Sequence, residues 1–160
     1  PATAPAVSAA QRLTASVPAE PFAAFLDWAA AETGAPIPRA RALAAFAAAS
    51  LRDAPEARLV VAAETVLTGQ RAAFADPDLA PMIDPATAEE DAAPGLILRD
   101  LTGTAITTVQ LGTDVAPVVS LSEDGSALTI TYEGALPADR AIALINGFAG
   151  RLTDPLRHLL

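Results

Sequence analysis

The chain has no cysteine and no lysine among its 160 residues, and the two absences remove a wide range of chemistry. Without thiols there is no disulfide, no thiolate nucleophile and no thiolate metal site. Without lysine this segment can carry no Schiff base, no lipoyl group and no Gly-Lys-Ser/Thr nucleotide loop. His158 is the single imidazole, so a histidine metal site lacks its ligands. Ser8, Ser16, Ser50, Ser120, Ser122 and Ser126 have no other histidine with which to form a triad. Aromatic residues make up only 4% while hydrophobic residues reach 52%. The interior must therefore be built from Ala, Val, Leu and Ile, which predicts closely approached helices and reliance on an oligomer, because alanine contributes little buried area. Ten arginines against 19 acidic residues give a net charge of -9, which argues against nucleic acid or an anionic membrane as partner. No run of about 18 apolar residues predicts a membrane span, and no basic-then-apolar leader opens the sequence.

The length suits one domain. Residues 1–10 open with Pro/Ala-rich sequence that favours extended backbone and read as the end of a linker, with residues 11–160 as the folded domain. Leu13–Val17 alternates as a strand. Pro18 to Thr33 carries Phe22, Phe25, Leu26, Trp28 and Ala29 at helical spacing and stops at Gly34 and Pro36. Trp28 reads as a core anchor or interface residue rather than a ligand-stacking one. A second helix, Pro38 to Asp53, is expected to turn Leu43, Phe46, Ala47, Ser50 and Leu51 inward and Arg39, Arg41 and Arg52 outward. Arg58–Ala62 and Gly95–Leu98 read as strands.

Between them, Asp76-Pro77-Asp78, Asp84-Pro85 and Glu89-Glu90-Asp91 read as solvated turns, since they lack the ligand spacing and glycine of a calcium loop. Thr104–Val109 is expected to be a further strand. Val115–Leu121, the turn Ser122–Gly125 and Ser126–Tyr132 form a hairpin. Glu133–Pro137 then turns the chain into a helix from Ala138, on which Ile142, Ile145, Phe148, Ala149 and Leu152 recur until Asp154-Pro155 ends it.

The strand, corner and helix from Ser126 onward, with the ending Leu152-Thr-Asp-Pro-Leu-Arg-His-Leu-Leu160, resemble the C-terminus of the dihydrolipoamide acyltransferases of 2-oxo acid dehydrogenase complexes. The Pro/Ala-rich opening resembles the linkers of that family, and Ala54-Pro55-Glu56 resembles the phrase that follows its second helix. Gly95-Leu-Ile-Leu-Arg-Asp-Leu101 resembles its Phe-Thr-Ile-Ser-Asn-Leu-Gly strand, and Val115–Leu121 its Arg-Pro-Val-Val-x-Asp-Gly hairpin. The resemblance implies an α+β fold, a reduced chloramphenicol-acetyltransferase-like two-layer sandwich in which a mixed β-sheet carries its helices on one face.

The active family has Asp-His-Arg-x-x-Asp-Gly at the corner. Here the corner reads Tyr132-Glu-Gly-Ala-Leu-Pro-Ala-Asp139, and Arg99 stands at the position of the hydroxyl residue that stabilises the tetrahedral intermediate. Acyl transfer from a thioester needs a base for the thiol proton and donors for the oxyanion. The resemblance therefore implies a pseudoenzyme with no catalytic, cofactor-binding or metal-ligating residues, akin to the dihydrolipoyl dehydrogenase-binding proteins (protein X) of pyruvate dehydrogenase complexes. It implies a homotrimer, a dihydrolipoamide acyltransferase core as partner, and dihydrolipoyl dehydrogenase held through regions upstream. The implied compartment is the mitochondrial matrix or, alternatively, the bacterial cytoplasm. Two other readings stay open: an acyltransferase with rearranged chemistry using Glu133 or a neighbour's His158, and an unrelated small-ligand or regulatory domain.

Overall fold

The computed structural model describes residues 11–107 and 115–158, the last by its backbone alone. β1 (Gln11–Pro18) leads into α1 (Glu20–Thr33) and α2 (Arg39–Leu51). A first hairpin, β2 (Val60–Thr65) and β3 (Gln70–Ala75), is followed by β4 (Leu96–Asp100). A second hairpin, β5 (Val118–Asp124) and β6 (Ala127–Gly134), precedes α3 (Ala138–Thr153) and a 3-10 turn at Leu156–His158.

One six-stranded sheet runs in the order β1-β6-β5-β4-β2-β3. It is mixed: β5, β4 and β2 are mutually parallel, and β1, β6 and β3 pair antiparallel with their neighbours. The registers carry one apolar face across the sheet, because Leu13 lies opposite Tyr132, Tyr132 opposite Val119, and Val61 opposite Leu96. Leu128, Ile130 and Tyr132 of β6 join the same core as Phe22, Phe25, Phe46, Leu144 and Phe148 of the helices. All three helices thus cover this face, and the α+β two-layer expectation holds. The opposite face carries Arg12, Thr14, Thr129, Thr131 and Glu133 in matching registers.

Local chemistry accounts for the turns. Gly34 ends α1 at φ 75°, a conformation that costs other residues a Cβ clash. Gly125, at φ 62°, is the first of two residues joining β5 to β6, where such tight hairpins require a positive φ. Small side chains bring α2 and α3 together: a Cβ added at Gly147 would lie 3.2 Å from Ser50 Oγ.

The structure departs from the sequence expectations at four places. β3 is an unforeseen strand; apart from Phe74 its residues are small or polar and partly or fully exposed, so it lacks the alternation of a half-buried strand. Thr104–Thr107 forms no strand, because Thr104 folds back on Leu101, its N–H and Oγ1 both donating to the Leu101 carbonyl at 3.1 and 2.6 Å; residues 108 and 109 lie outside the described residues. Ile142 points outward at 56% exposure, since α3 buries Ala141, Leu144, Ile145, Phe148 and Leu152 instead.

The fourth correction concerns the arginines of α2. Arg41 is 2% exposed and the Arg52 side chain 9%, not outward as expected. The reason is that α2 is buried on every side from Arg41 to Ala48, with the loop after β3 laid over its outer flank and both guanidinium groups bonded to that loop.

Candidate functional site

The corner between β6 and α3 is built around Tyr132. The side chain is fully buried, and its phenol oxygen accepts the Leu136 N–H at 2.9 Å. Gly134 makes room for it: a Cβ there would lie 2.8 Å from that oxygen and 3.2 Å from Pro117 Cα. Pro137 then starts α3 with φ −52° and ψ 144° and no side-chain cap. The corner is thus closed from beneath by a tyrosine that ties its two arms together, and it contains no imidazole.

Glu133, the one carboxylate within the turn, lies on the helix-free face and is ion-paired with Arg12, its cross-strand neighbour on β1. Asp139 sits exposed in the first turn of α3. Arg140 donates to the Leu51 carbonyl at 2.8 Å and approaches Asp53 at 3.7 Å. With Leu136, Arg52, Arg58 and Pro117 it lines a small cleft of about 180 Å³ beside the corner.

Arg99 is 5% exposed on β4, and its Nε donates to Glu64 Oε2 at 3.2 Å across the parallel β2–β4 pairing. It shares the helix-free face with Glu133. In register, however, Arg99 lies in the row of Ser120 and Thr131, whereas Glu133 lies in the row of Val118 and Arg12. The intervening β5 keeps the two from meeting. His158 ends the 3-10 turn after α3, and its side chain lies outside what is described. Arg99 and Glu133 are therefore not gathered at one point on this face.

Neighbouring Asp100 is 5% exposed and turns to the other face, where it accepts Arg39 Nε at 2.7 Å and the Thr102 hydroxyl at 2.6 Å. The Arg39 guanidinium also stacks over the Phe22 ring at 5.2 Å. Trp28 is 45% exposed and only tilts against Phe25, with ring centroids 6.3 Å apart, so it is not a core anchor. The acidic turns are not all solvated as expected, because Asp78 is drawn in to 6% exposure by Arg52; Asp76 binds the same guanidinium, Asp84 Oδ1 accepts the Ala86 N–H, and Glu89 pairs with Arg58. Among the described residues no group of three or more acidic or imidazole side chains is arranged to hold a metal ion. None of the described helices is long and apolar enough to cross a membrane. Sequence reasoning overlooked the Tyr132 contact; the available signal was a tyrosine two residues before a glycine at a strand end.

No family model and no curated protein sequence matches the chain. Solved structures match its fold. The truncated catalytic core of the 2-oxoacid dehydrogenase multienzyme complex from Thermoplasma acidophilum superposes with a TM-score of 0.66 at 12% identity, covering 93% of this chain and 89% of that one. The cubic core of the pyruvate dehydrogenase multienzyme complex gives 0.64 at 14% identity, covering 94% and 84%. Chloramphenicol acetyltransferase gives 0.52 at 12% identity, covering 91% and 86%. The fold is chloramphenicol-acetyltransferase-like, of the kind found in the acyltransferase cores of 2-oxo acid dehydrogenase complexes.

Proposed function

We propose that this chain is a non-catalytic component of the core of a 2-oxo acid dehydrogenase complex, with pyruvate as the substrate of that complex. In this reading it packs as a trimer-forming unit with the dihydrolipoamide acyltransferase and tethers dihydrolipoyl dehydrogenase through regions upstream, in a mitochondrial matrix or a bacterial cytoplasm. The observation that carries the reading is the corner. Where the resembling enzymes keep their catalytic histidine, this chain has a hydrogen bond from the Leu136 N–H to the buried Tyr132 phenol, a bond that holds the backbone and moves no proton.

Two further features support it. The hydroxyl position on β4 is taken by a guanidinium paired with Glu64, and the corner's one carboxylate, Glu133, is ion-paired with Arg12. A positioned base is worth about 10²–10⁴ in rate, so a chain without one keeps its fold for another purpose. In this reading the assembly covers Trp28 and Ile142, which stand exposed on the helical layer at 45% and 56%.

The test is co-expression with a dihydrolipoamide acyltransferase, followed by native mass spectrometry of the gently purified core. Mixed particles containing both chains are expected. A chain that purifies alone while the acyltransferase assembles without it would refute the reading and favour an independent binding domain.

A further inference from the structure

We propose that the cavity between α2 and the β2–β3 hairpin binds a small organic anion, a carboxylate or phosphate ester carrying a short apolar tail. The cavity measures about 780 Å³, within the range of small-molecule sites. Ala63, Ala72 and Phe74 of the hairpin line it together with Ile83, which is 71% exposed. These walls suit a hydrocarbon tail.

The charge comes from α2. Arg41 lines the cavity at 2% exposure, and its hydrogen bonds go to carbonyl oxygens and a thioether rather than to a carboxylate. Nε donates to the Asp84 carbonyl at 2.7 Å and Nη2 to those of Pro81 and Ala80 at 3.1 and 3.4 Å. Among the described residues Nη1 has only the Met82 sulfur, at 4.0 Å. A thioether is a weak acceptor, so Nη1 retains most of its capacity to donate. The Asp84 carboxylate is turned back on its own loop, accepting the Ala86 N–H at 2.8 Å.

The start of α2 reinforces this. Pro38 and Ala40 line the same cavity, no side chain caps the helix, and its first turn holds no acidic residue. The first turn of a helix and its positive end favour an anion. The Asp84 and Asp78 carboxylates offset part of the Arg41 charge through space, while Arg71, exposed on β3, adds a second cation to the cavity wall that a bound anion would pair with. Thr65, which pairs with Asp100, places the cavity toward the C-terminal end of β4, whereas the corner's cleft touches Gly95 before its start. The inference therefore stands apart from the scaffold reading.

The test is titration of the ¹⁵N-labelled chain with hexanoate, hexyl phosphate and hexylamine, read by amide chemical shifts. Either anion is expected to give saturable shifts centred on Ala40, Arg41 and Ala72, with hexylamine giving none. Replacing Arg41 risks unfolding, so the blocking variant is Ala72→Trp, at an exposed position on β3; it is expected to weaken anion binding at least about tenfold while leaving the remaining spectrum in place. Absence of saturable shifts with both anions, equal binding of hexylamine, or unchanged binding in Ala72→Trp would overturn the proposal.

Discussion

Arg52 and Asp78 form a bidentate pair, Nε to Oδ2 at 2.6 Å and Nη2 to Oδ1 at 2.9 Å, with side chains only 9% and 6% exposed. The pair fastens the C-terminal end of α2 to the loop that follows β3. Asp76 adds a second carboxylate to the same Nη2 at 2.8 Å, and these hydrogen bonds raise the guanidinium's affinity for its proton. Removing one partner of such a pair leaves the other buried and uncompensated. Arg52→Ala is expected to lower stability by about 3 kcal/mol. Arg52→Lys should recover part of that loss, because an ammonium restores the charge without the planar fork. Urea unfolding of the three proteins checks the order.

Asp76 gives the cluster its pH dependence. The Leu59 N–H donates to Oδ1 at 2.8 Å, and this bond, followed by the Arg52 guanidinium, holds the carboxyl below the usual carboxylate range. A folded pKa below the unfolded value near 3.9 contributes stability that is complete above that value and is lost as pH falls through the folded pKa. Asp76→Asn tolerates the left-handed φ of 47° at this position, so the substitution reports on charge rather than backbone strain. The variant is expected to be less stable than the parent at about pH 7 and nearly equal to it at about pH 2, measured as urea midpoints.

The corner makes a prediction about coupling. Tyr132→Phe leaves the Leu136 N–H without its acceptor and should cost about 1 kcal/mol. Gly134→Ala forces a methyl to within 2.8 Å of the phenol oxygen and should cost more, about 2 kcal/mol. In the double variant the oxygen is gone while the contacts with the ring carbon Cζ at 3.1 Å and Pro117 Cα at 3.2 Å remain. The combined loss is therefore expected to be smaller than the sum of the two. Chemical denaturation of the full cycle measures the difference, and simple additivity would show that the phenol is not what excludes a side chain at Gly134.

What could be read from sequence followed the strength of its periodicity. Leu128, Ile130 and Tyr132 alternate with threonines, and Gly125 marks the hairpin, so the β5–β6–α3 end of the fold was legible together with the missing histidine. Gly34 likewise fixed the end of α1. The stretch around β3 was not legible, because an edge strand of small and polar residues needs no alternation to be held by its neighbour's backbone. The burial of Arg41 was hidden for a related reason: its partners are loop carbonyls, which no side-chain pattern announces. An alanine-rich helix that is apolar all round, as α2 is from Ala42 to Ala48, is itself the mark of a helix covered on every side, and that signal was present.

The central claim is that this fold has kept its packing and relinquished acyl transfer. The most direct measurement is the rate of acetyl transfer from acetyl-CoA to dihydrolipoamide by the purified chain. The account predicts a rate indistinguishable from the uncatalysed background, unchanged in Glu133→Gln and His158→Ala. Turnover above background that disappears in either variant would contradict it.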